Sequence, residues 1–483
     1  MSFSTSASSQ TILDYDVFTL AEKLRNHEIT SVQATQTFID HLKEINPLIN
    51  CIVAERFTEA LHEAKLADEK LQKGTNQGRL FGVPISIKEC FNIIGMDTTG
   101  GLPHLQGKPK NTDAKTVSLL KSEGAIILGK TNTPTLCFCQ ETNNKLYGQT
   151  NNPWDPSKTV GGSSGGEAAL IATGGAAVGI GSDIGGSIRF PSHFNGVVGF
   201  KSGNSQVSYE GGFPEVVIPL QQRMLGVGAM AKSVRDARLI HEIISQSQPQ
   251  QKQLQDFEVV LPLNSILYPI NEKTRTVLTE IKQFIHQQFT TKDEQPPFYE
   301  DSALLWQQIM SIDGGKGIAQ IAFNRENHHA IIEYAKEKLF KKSKWHHYLT
   351  WALIGSKLFK PNDRKIKELE ETILLGDQEV QEYLSNRMLI LPVYHTSALK
   401  HGKVYQELFS IRKSFLTYIP FVAYANVWGL PVLVVPVGED SNGLPIGVQI
   451  ISSPGNEDTI FQLGTLLEKQ FRGYKRCKMQ KLL

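Results

Sequence analysis

The chain has 483 residues, a formal net charge of +2 and a 40% hydrophobic to 20% charged balance. That is the composition of an ordinary globular protein, and the slight basic excess excludes a general electrostatic attraction to nucleic acid or to an anionic membrane. Its five cysteines, Cys51, Cys90, Cys137, Cys139 and Cys477, are odd in number and irregular in spacing, and Cys137-x-Cys139 lacks the second pair of a zinc site. A reduced, cytoplasmic setting is expected. Residues 1–10 are polar, without the basic and apolar regions of a signal peptide. The sequence holds no uncharged apolar run of about 18 residues, so no membrane span is expected.

Residues 17–46 read as two helices. Leu20 and Leu24, then Val32, Phe38, Ile39 and Leu42, fall at helical spacing, with Ser31 as N-cap and Asn46-Pro47 as the end of the second. Residues 54–73 give a third. Residues 83–87 read as a buried strand with Lys88 at its end; such a lysine is more often a solvated terminus than a functional group. A helix over 117–123, closed by Gly124, leads to a strand over 125–132. The alternation favours an α/β fold with a parallel or mixed sheet.

Residues 161–203 stand apart, holding thirteen of the 40 glycines. Glycine costs backbone entropy, so such density implies left-handed turns or close backbone approach. Ser163, Ser164, Ser182 and Ser187 are interspersed. A serine nucleophile beside crowded main-chain N–H donors suits acyl transfer. A flexible linker does not fit the apolar runs 168–172 and 197–200. A phosphate loop does not fit Glu167 after Gly166. A hydrolase elbow needs a preceding strand, whereas residues 151–156 are loop-forming. No histidine has an obvious Ser/His/Asp setting; His193 follows Pro191 and reads as packing. A lysine serves as base only when neutral, a form that burial favours.

Beyond this stretch, residues 225–230 read as a strand and Ser233 as the cap of a helix through Ile244, followed by a polar break over 246–254. Residues 255–400 are glycine-poor and mostly helical. Within them the basic, aromatic 341–360 segment reads as an ordinary amphipathic helix, with membrane-surface contact as the alternative. Strands are expected over 389–392, 427–436 and 443–451, the last two as a hairpin, and a closing helix over 461–471. The expected organisation is a flexible 1–15, a first core part 16–245, a variable helical insertion 246–388 and a closing core part 389–475.

A lysine at a strand end, then Gly-Gly-Ser-Ser-Gly-Gly at 161–166, then Gly-Ser-Asp-Ile-Gly-Gly-Ser-Ile-Arg at 181–189, resembles the amidase signature family. Residues 144–153 and 185–191 are similar in finer detail to its type-2 fatty-acid amide hydrolases. The resemblance implies a central mixed, twisted sheet with helices on both faces and a helical insertion. It implies Ser187 as nucleophile, Ser163 as bridging serine after a cis peptide, and Lys88 as base. It places an oxyanion hole on the N–H groups of Ile184, Gly185, Gly186 and Ser187. Ser164, Asp183 and Arg189 become supporting residues, with Asp183 and Arg189 as a structural pair; Thr173 is a further supporting candidate, and Cys137 and Phe138 line the acyl pocket. No metal and no organic cofactor are implied.

The function expected is hydrolysis of a small-molecule amide, with a hydrophobic acyl group, to acid plus ammonia or amine. No nucleic-acid partner is expected; peripheral membrane contact and a homodimer stay open. One alternative is the amidase subunit of a tRNA-dependent amidotransferase, although residues 205–214 lack the tyrosine/arginine-rich loop expected of it. The other is a non-catalytic scaffold, which would have no need of Lys88, Ser163 and Ser187 together.

Overall fold

The computed structural model describes residues 9–75, 77–247, 250–265, 269–324 and 328–479. Its strands are β1 Ile52–Glu55, β2 Pro84–Lys88, β3 Ile126–Thr131, β4 Asn143–Asn144, β5 Gly148–Gln149, β6 Val178–Asp183, β7 Val198–Lys201, β8 Gly226–Ala231, β9 Glu258–Val260, β10 Thr291–Lys292, β11 Arg387–Pro392, β12 Val432–Glu439 and β13 Pro445–Ile451. Eleven form one mixed sheet, in the order β1-β3-β2-β6-β8-β7-β12-β13-β11-β9-β10, and β4 and β5 pair separately. Helices flank the sheet, as the expected fold class requires.

β2 shows how the sequence sets the site. Successive side chains of a strand point to opposite faces. Ile85 and Ile87 therefore share one face, and Ser86 and Lys88 the other, where they meet Glu167 and Ser163. β6 lies beside β2 in parallel, with Ser86 opposite Gly179 and Ile87 opposite Ile180. The helix Gly165–Ala172 covers that face and is buried along its whole length. Its sequence, GGEAALIA, is apolar on nearly every side, which a surface helix is not.

Several expectations shift by a few residues. The second helix runs Ser31–Ile49, is capped by Thr30 rather than Ser31, and continues through Pro47 to a left-handed Asn50. Pro47 lies in the last turn, where its missing N–H costs one bond, and Asn50 closes the helix by donating to Asn46 O. Ser31 Oγ instead donates to Gly82 O at 2.8 Å. The third helix begins only at Phe57, because residues 52–55 pair with β3 as an edge strand. The hairpin forms as β12 and β13, but Val427 belongs to the helix Pro420–Val427. The polar break holds two residues, 248 and 249, outside those described.

Residues 255–400 are mostly helical, yet β9 and β10 extend the sheet beyond β11 in parallel. The helix His347–Leu358 turns Tyr348, Leu349, Thr350 and Leu353 inward. It leaves Leu358 exposed at its end, and the helix Ala330–Phe340 before it exposes Ile331, Ile332, Leu339 and Phe340. Among the described residues no helix is long and apolar enough to cross a membrane, and all five cysteines are free.

Candidate active site

β2 delivers Lys88 to the first turn of the buried helix. Lys88 Nζ lies 2.7 Å from Ser163 Oγ, 3.0 Å from Ser182 Oγ and 3.4 Å from Ser182 O. Lys88 has no ion-pair partner among the described residues. The Gly162–Ser163 peptide is cis. Ser164 N–H donates to Ser187 O at 3.0 Å, which ties the start of the helix to the loop after β6. Of the three side chains, Ser187 is the most accessible, at 5% exposure against 1% for Ser163 and 0% for Lys88.

The loop after β6 is held from several sides. Asp183 accepts from Gly186 N–H at 2.8 Å and Ile188 N–H at 3.0 Å. Arg189 meets the same carboxylate through Nε at 3.0 Å and Nη2 at 2.9 Å, and both residues are fully buried. Burial alone would raise the Asp183 carboxyl, but the Arg189 guanidinium outweighs it and holds the group well below the usual carboxylate range. The pair is anchored to the C-terminal part of the chain: Arg189 donates to Val422 O, Gln449 Oε1 and Asn426 Oδ1, and Asn426 Nδ2 donates to Asp183. Gly186 sits at φ 91°, where a side chain would overlap Phe190. Its N–H is turned to Asp183, so the expected set of four oxyanion donors is reduced. The N–H groups of Ile184, Gly185 and Ser187 have no partner among the described residues.

Gln140 and Trp306, which the sequence reading did not single out, hold the same loop. Gln140 Nε2 donates to Gly185 O at 2.9 Å, and Trp306 Nε1 donates to Ile184 O at 2.8 Å. A Cβ on Gly185 would come within 2.7 Å of the indole. No local signal marks either residue, since each works across long sequence separations.

The other expected residues divide. Ser164 Oγ lies 3.4 Å from Ser182 O, beneath the loop. Cys137 is half-buried, with its Sγ 3.3 Å from Thr133 Oγ1. Phe138 packs with Leu102, Leu136, Phe323, Trp345 and Leu349 in a separate apolar cluster. Thr173 is not brought to the site: its hydroxyl donates to Leu170 O at the far end of the buried helix. His193 is buried between Gly447 and Thr396, and burial pushes its imidazole down to about 4, so it is neutral packing. Among the described residues no cluster of side chains could hold a metal ion.

A large mixed sheet, a buried lysine–serine pair and a glycine-built loop with free amides fit an amide-hydrolysing enzyme. The comparisons agree. A model of the family described as Amidase matches residues 33–461, and the chain belongs to that family, the amidase signature enzymes. It is 31% identical to "Fatty-acid amide hydrolase 2-B" of Danio rerio, covering 96% of this chain and 90% of the relative. It is equally 31% identical to "Fatty-acid amide hydrolase 2" of Homo sapiens, over 94% of this chain and 88% of the relative. A solved structure titled "Fatty acid amide hydrolase" superposes with a TM-score of 0.80 at 19% identity, over 96% of this chain and 86% of that one, and shares the fold.

Proposed function

We propose that the chain hydrolyses amides of hydrophobic carboxylic acids through an acyl-enzyme on Ser187. The observation that carries this reading is the 2.7 Å contact between Lys88 Nζ and Ser163 Oγ, in a helix start bonded to Ser187. A serine hydroxyl needs a base, and a buried amine reached through a second hydroxyl supplies one. As Ser187 Oγ attacks the carbonyl carbon, its proton passes to Ser163 while Ser163 gives its own to the Lys88 amine. The carbonyl oxygen becomes an oxyanion facing the N–H groups of Ile184, Gly185 and Ser187. On collapse Ser163 protonates the leaving nitrogen and regains a proton from Lys88. Water then repeats the sequence on the ester and releases the acid.

The substrate class rests on the apolar side chains next to Cys137 in the chain. Leu136 and Phe138 flank Cys137 and continue into the apolar cluster with Phe323, Trp345 and Leu349. Burying a methylene is worth about 0.8 kcal/mol, so chain length should be read directly in affinity. The fatty-acid amide hydrolases to which the chain is similar point the same way. The test is a series of primary amides of graded acyl length, with Ser187→Ala as control. A kcat/KM that rises with chain length in the wild type, and disappears in the control, supports the reading. Equal turnover of acetamide and long acyl amides would overturn the acyl preference, and turnover by Ser187→Ala would overturn the nucleophile.

A further inference from the structure

Of the N–H groups left for an oxyanion, those of Gly185 and Ser187 belong to peptide units whose carbonyls are gripped. A trans peptide unit is planar, and its C=O and N–H point in opposite directions. Whatever holds one carbonyl therefore aims the N–H of the next residue the other way. The Gly185–Gly186 unit shows both ends: Gly185 O accepts from Gln140 at 2.9 Å, while Gly186 N–H donates to Asp183 at 2.8 Å. In the Gly186–Ser187 unit, Gly186 O accepts from Phe190 N–H at 2.8 Å, so the short helix Arg189–Asn195 turns the Ser187 N–H away from itself. The Ile184–Gly185 unit is held from much farther along the chain. Ile184 O accepts from Trp306 Nε1 at 2.8 Å and from no other group among the described residues. The Gly185 N–H thus points away from the indole, on a buried residue. A buried backbone N–H is nearly always paired in a folded protein, and an oxygen arriving with the substrate satisfies this one.

Trp306 is fixed before it reaches the loop. It lies on the helix Ser302–Met310, where Ser302, Leu305, Trp306 and Ile309 are buried at the i, i+3, i+4, i+7 spacing of one face. That helix packs against Pro420–Val427, and the indole lies 6.3 Å from the Phe415 ring, centroid to centroid. Glycine at 185 is what admits the indole, since a Cβ there would lie 2.7 Å from its ring. The indole N–H is a donor only, so it has one use here, and Ile184 O takes it.

We propose that Trp306 is a positioning residue that aims the Gly185 N–H at the oxyanion, so that a helix outside the glycine-rich stretch sets the rate of acyl transfer. The inference rests on the acyl-enzyme reading given above. Trp306 touches no reacting atom; it acts through the Ile184 carbonyl. Without its N–H that carbonyl loses its partner and the peptide unit is freer to turn, which misaims the donor on the far side. The ground-state amide, held by its acyl group, is little affected. The oxyanion, which forms only as the serine adds, loses a placed donor.

The test compares the wild type with Trp306→Phe and with Trp306→3-benzothienylalanine, which keeps the shape of the indole and puts sulfur in place of the N–H. Each is read for kcat and KM on one primary amide of the graded series. Each is also read for binding of the trifluoromethyl ketone with the same acyl chain, which adds the serine as a tetrahedral oxyanion, and of the matching trifluoromethyl carbinol, which cannot. In both variants kcat and ketone affinity should fall together by about 10- to 100-fold, short of the ~10²–10³ lost when a donor is removed outright, with KM and carbinol affinity as in the wild type. Unchanged kcat in the benzothienyl variant, folded by circular dichroism, would overturn the proposal. So would a rise in KM at unchanged kcat, or equal losses for ketone and carbinol, either of which would make Trp306 a wall of the pocket. A wild type that turns over no amide and binds no ketone would overturn the acyl-enzyme reading and this inference with it; an active, ketone-binding wild type matched by the variants would strike Trp306 alone.

Discussion

Lys88 is a charged residue type held at 0% exposure with three oxygen contacts and no carboxylate contact among the described residues. A merely structural lysine buried this way would be costly, because an uncompensated buried charge is disfavoured by several kcal/mol. Replacing it with alanine should cost roughly 10²–10⁴ in kcat/KM, the range of a lost general base, while leaving the fold intact by circular dichroism. Asp183 predicts the opposite balance. Asp183→Asn strips the partner from a fully buried Arg189, so it should lower stability by about 3–5 kcal/mol, measured by urea unfolding, and lower activity with it. At this scale the crowded glycines and serines betray close backbone approach, while the pairing of Lys88 with Ser163 was expected only from the family resemblance. Gln140, Trp306 and Asn426 were not legible in the sequence. Their partners lie 45, 122 and 243 positions away, and a contact at that separation leaves no local pattern.

At the scale of elements, the helix Gly165–Ala172 lies so close to β6 that a Cβ on Gly179 would overlap the Glu167 carboxylate. Glu167 itself accepts from Ser86 Oγ on β2 and Thr131 Oγ1 on β3, so one carboxylate ties the helix to the strand that carries Lys88 and to its neighbour. Gly179→Ala should therefore destabilise by about 1–3 kcal/mol or more, as overpacking does. That cost should shrink in a Glu167→Ala background, and a double-mutant cycle reads the coupling. Burial pushes the Glu167 carboxyl up to about 7. A carboxyl raised in the folded state binds its proton more tightly there than in the unfolded chain. Its stabilisation is therefore full at acid pH and is lost as pH rises from the ordinary carboxylate value to about 7. The thermal midpoint of Glu167→Gln should fall less than that of the wild type between pH 5 and about 7.5, since an amide does not titrate. An equal fall would contradict the assignment. Alternating strands such as 83–87 and the capped helix after Ser233 could be read from the sequence, since their periodicity is local. The short strands β1, β9 and β10 could not: they are strands only because a neighbour offers a free edge.

At the scale of the whole molecule, the C-terminal hairpin sits inside the sheet, not at its rim. β12 lies between β7 and β13, and β13 in turn receives β11. Gln449 from this hairpin, with Val422 and Asn426 from the helix Pro420–Val427 just before it, holds Arg189, which holds Asp183 and so the loop that carries Ser187. The site is thus closed by residues more than 230 positions beyond it. A chain ending before β12 would expose the edge of β7 and strip Gln449 from Arg189; it should be recovered as aggregate, not as a smaller active enzyme. The expectation of core strands at both ends of the sequence rested on apolar runs bounded by turns, which is why it could be made without the structure. The order of those strands in the sheet could not be read that way.

The central claim is that Ser187 is a nucleophile activated through Ser163 by Lys88. It is tested most directly by intact mass after exposure to a broad fluorophosphonate, on the wild type, Ser187→Ala and Lys88→Ala, each first shown to be folded. The account predicts one adduct on the wild type, located at Ser187, none on Ser187→Ala, and a much slower one on Lys88→Ala. A folded wild type that takes no adduct, or a Ser187→Ala protein that still takes one, would contradict it.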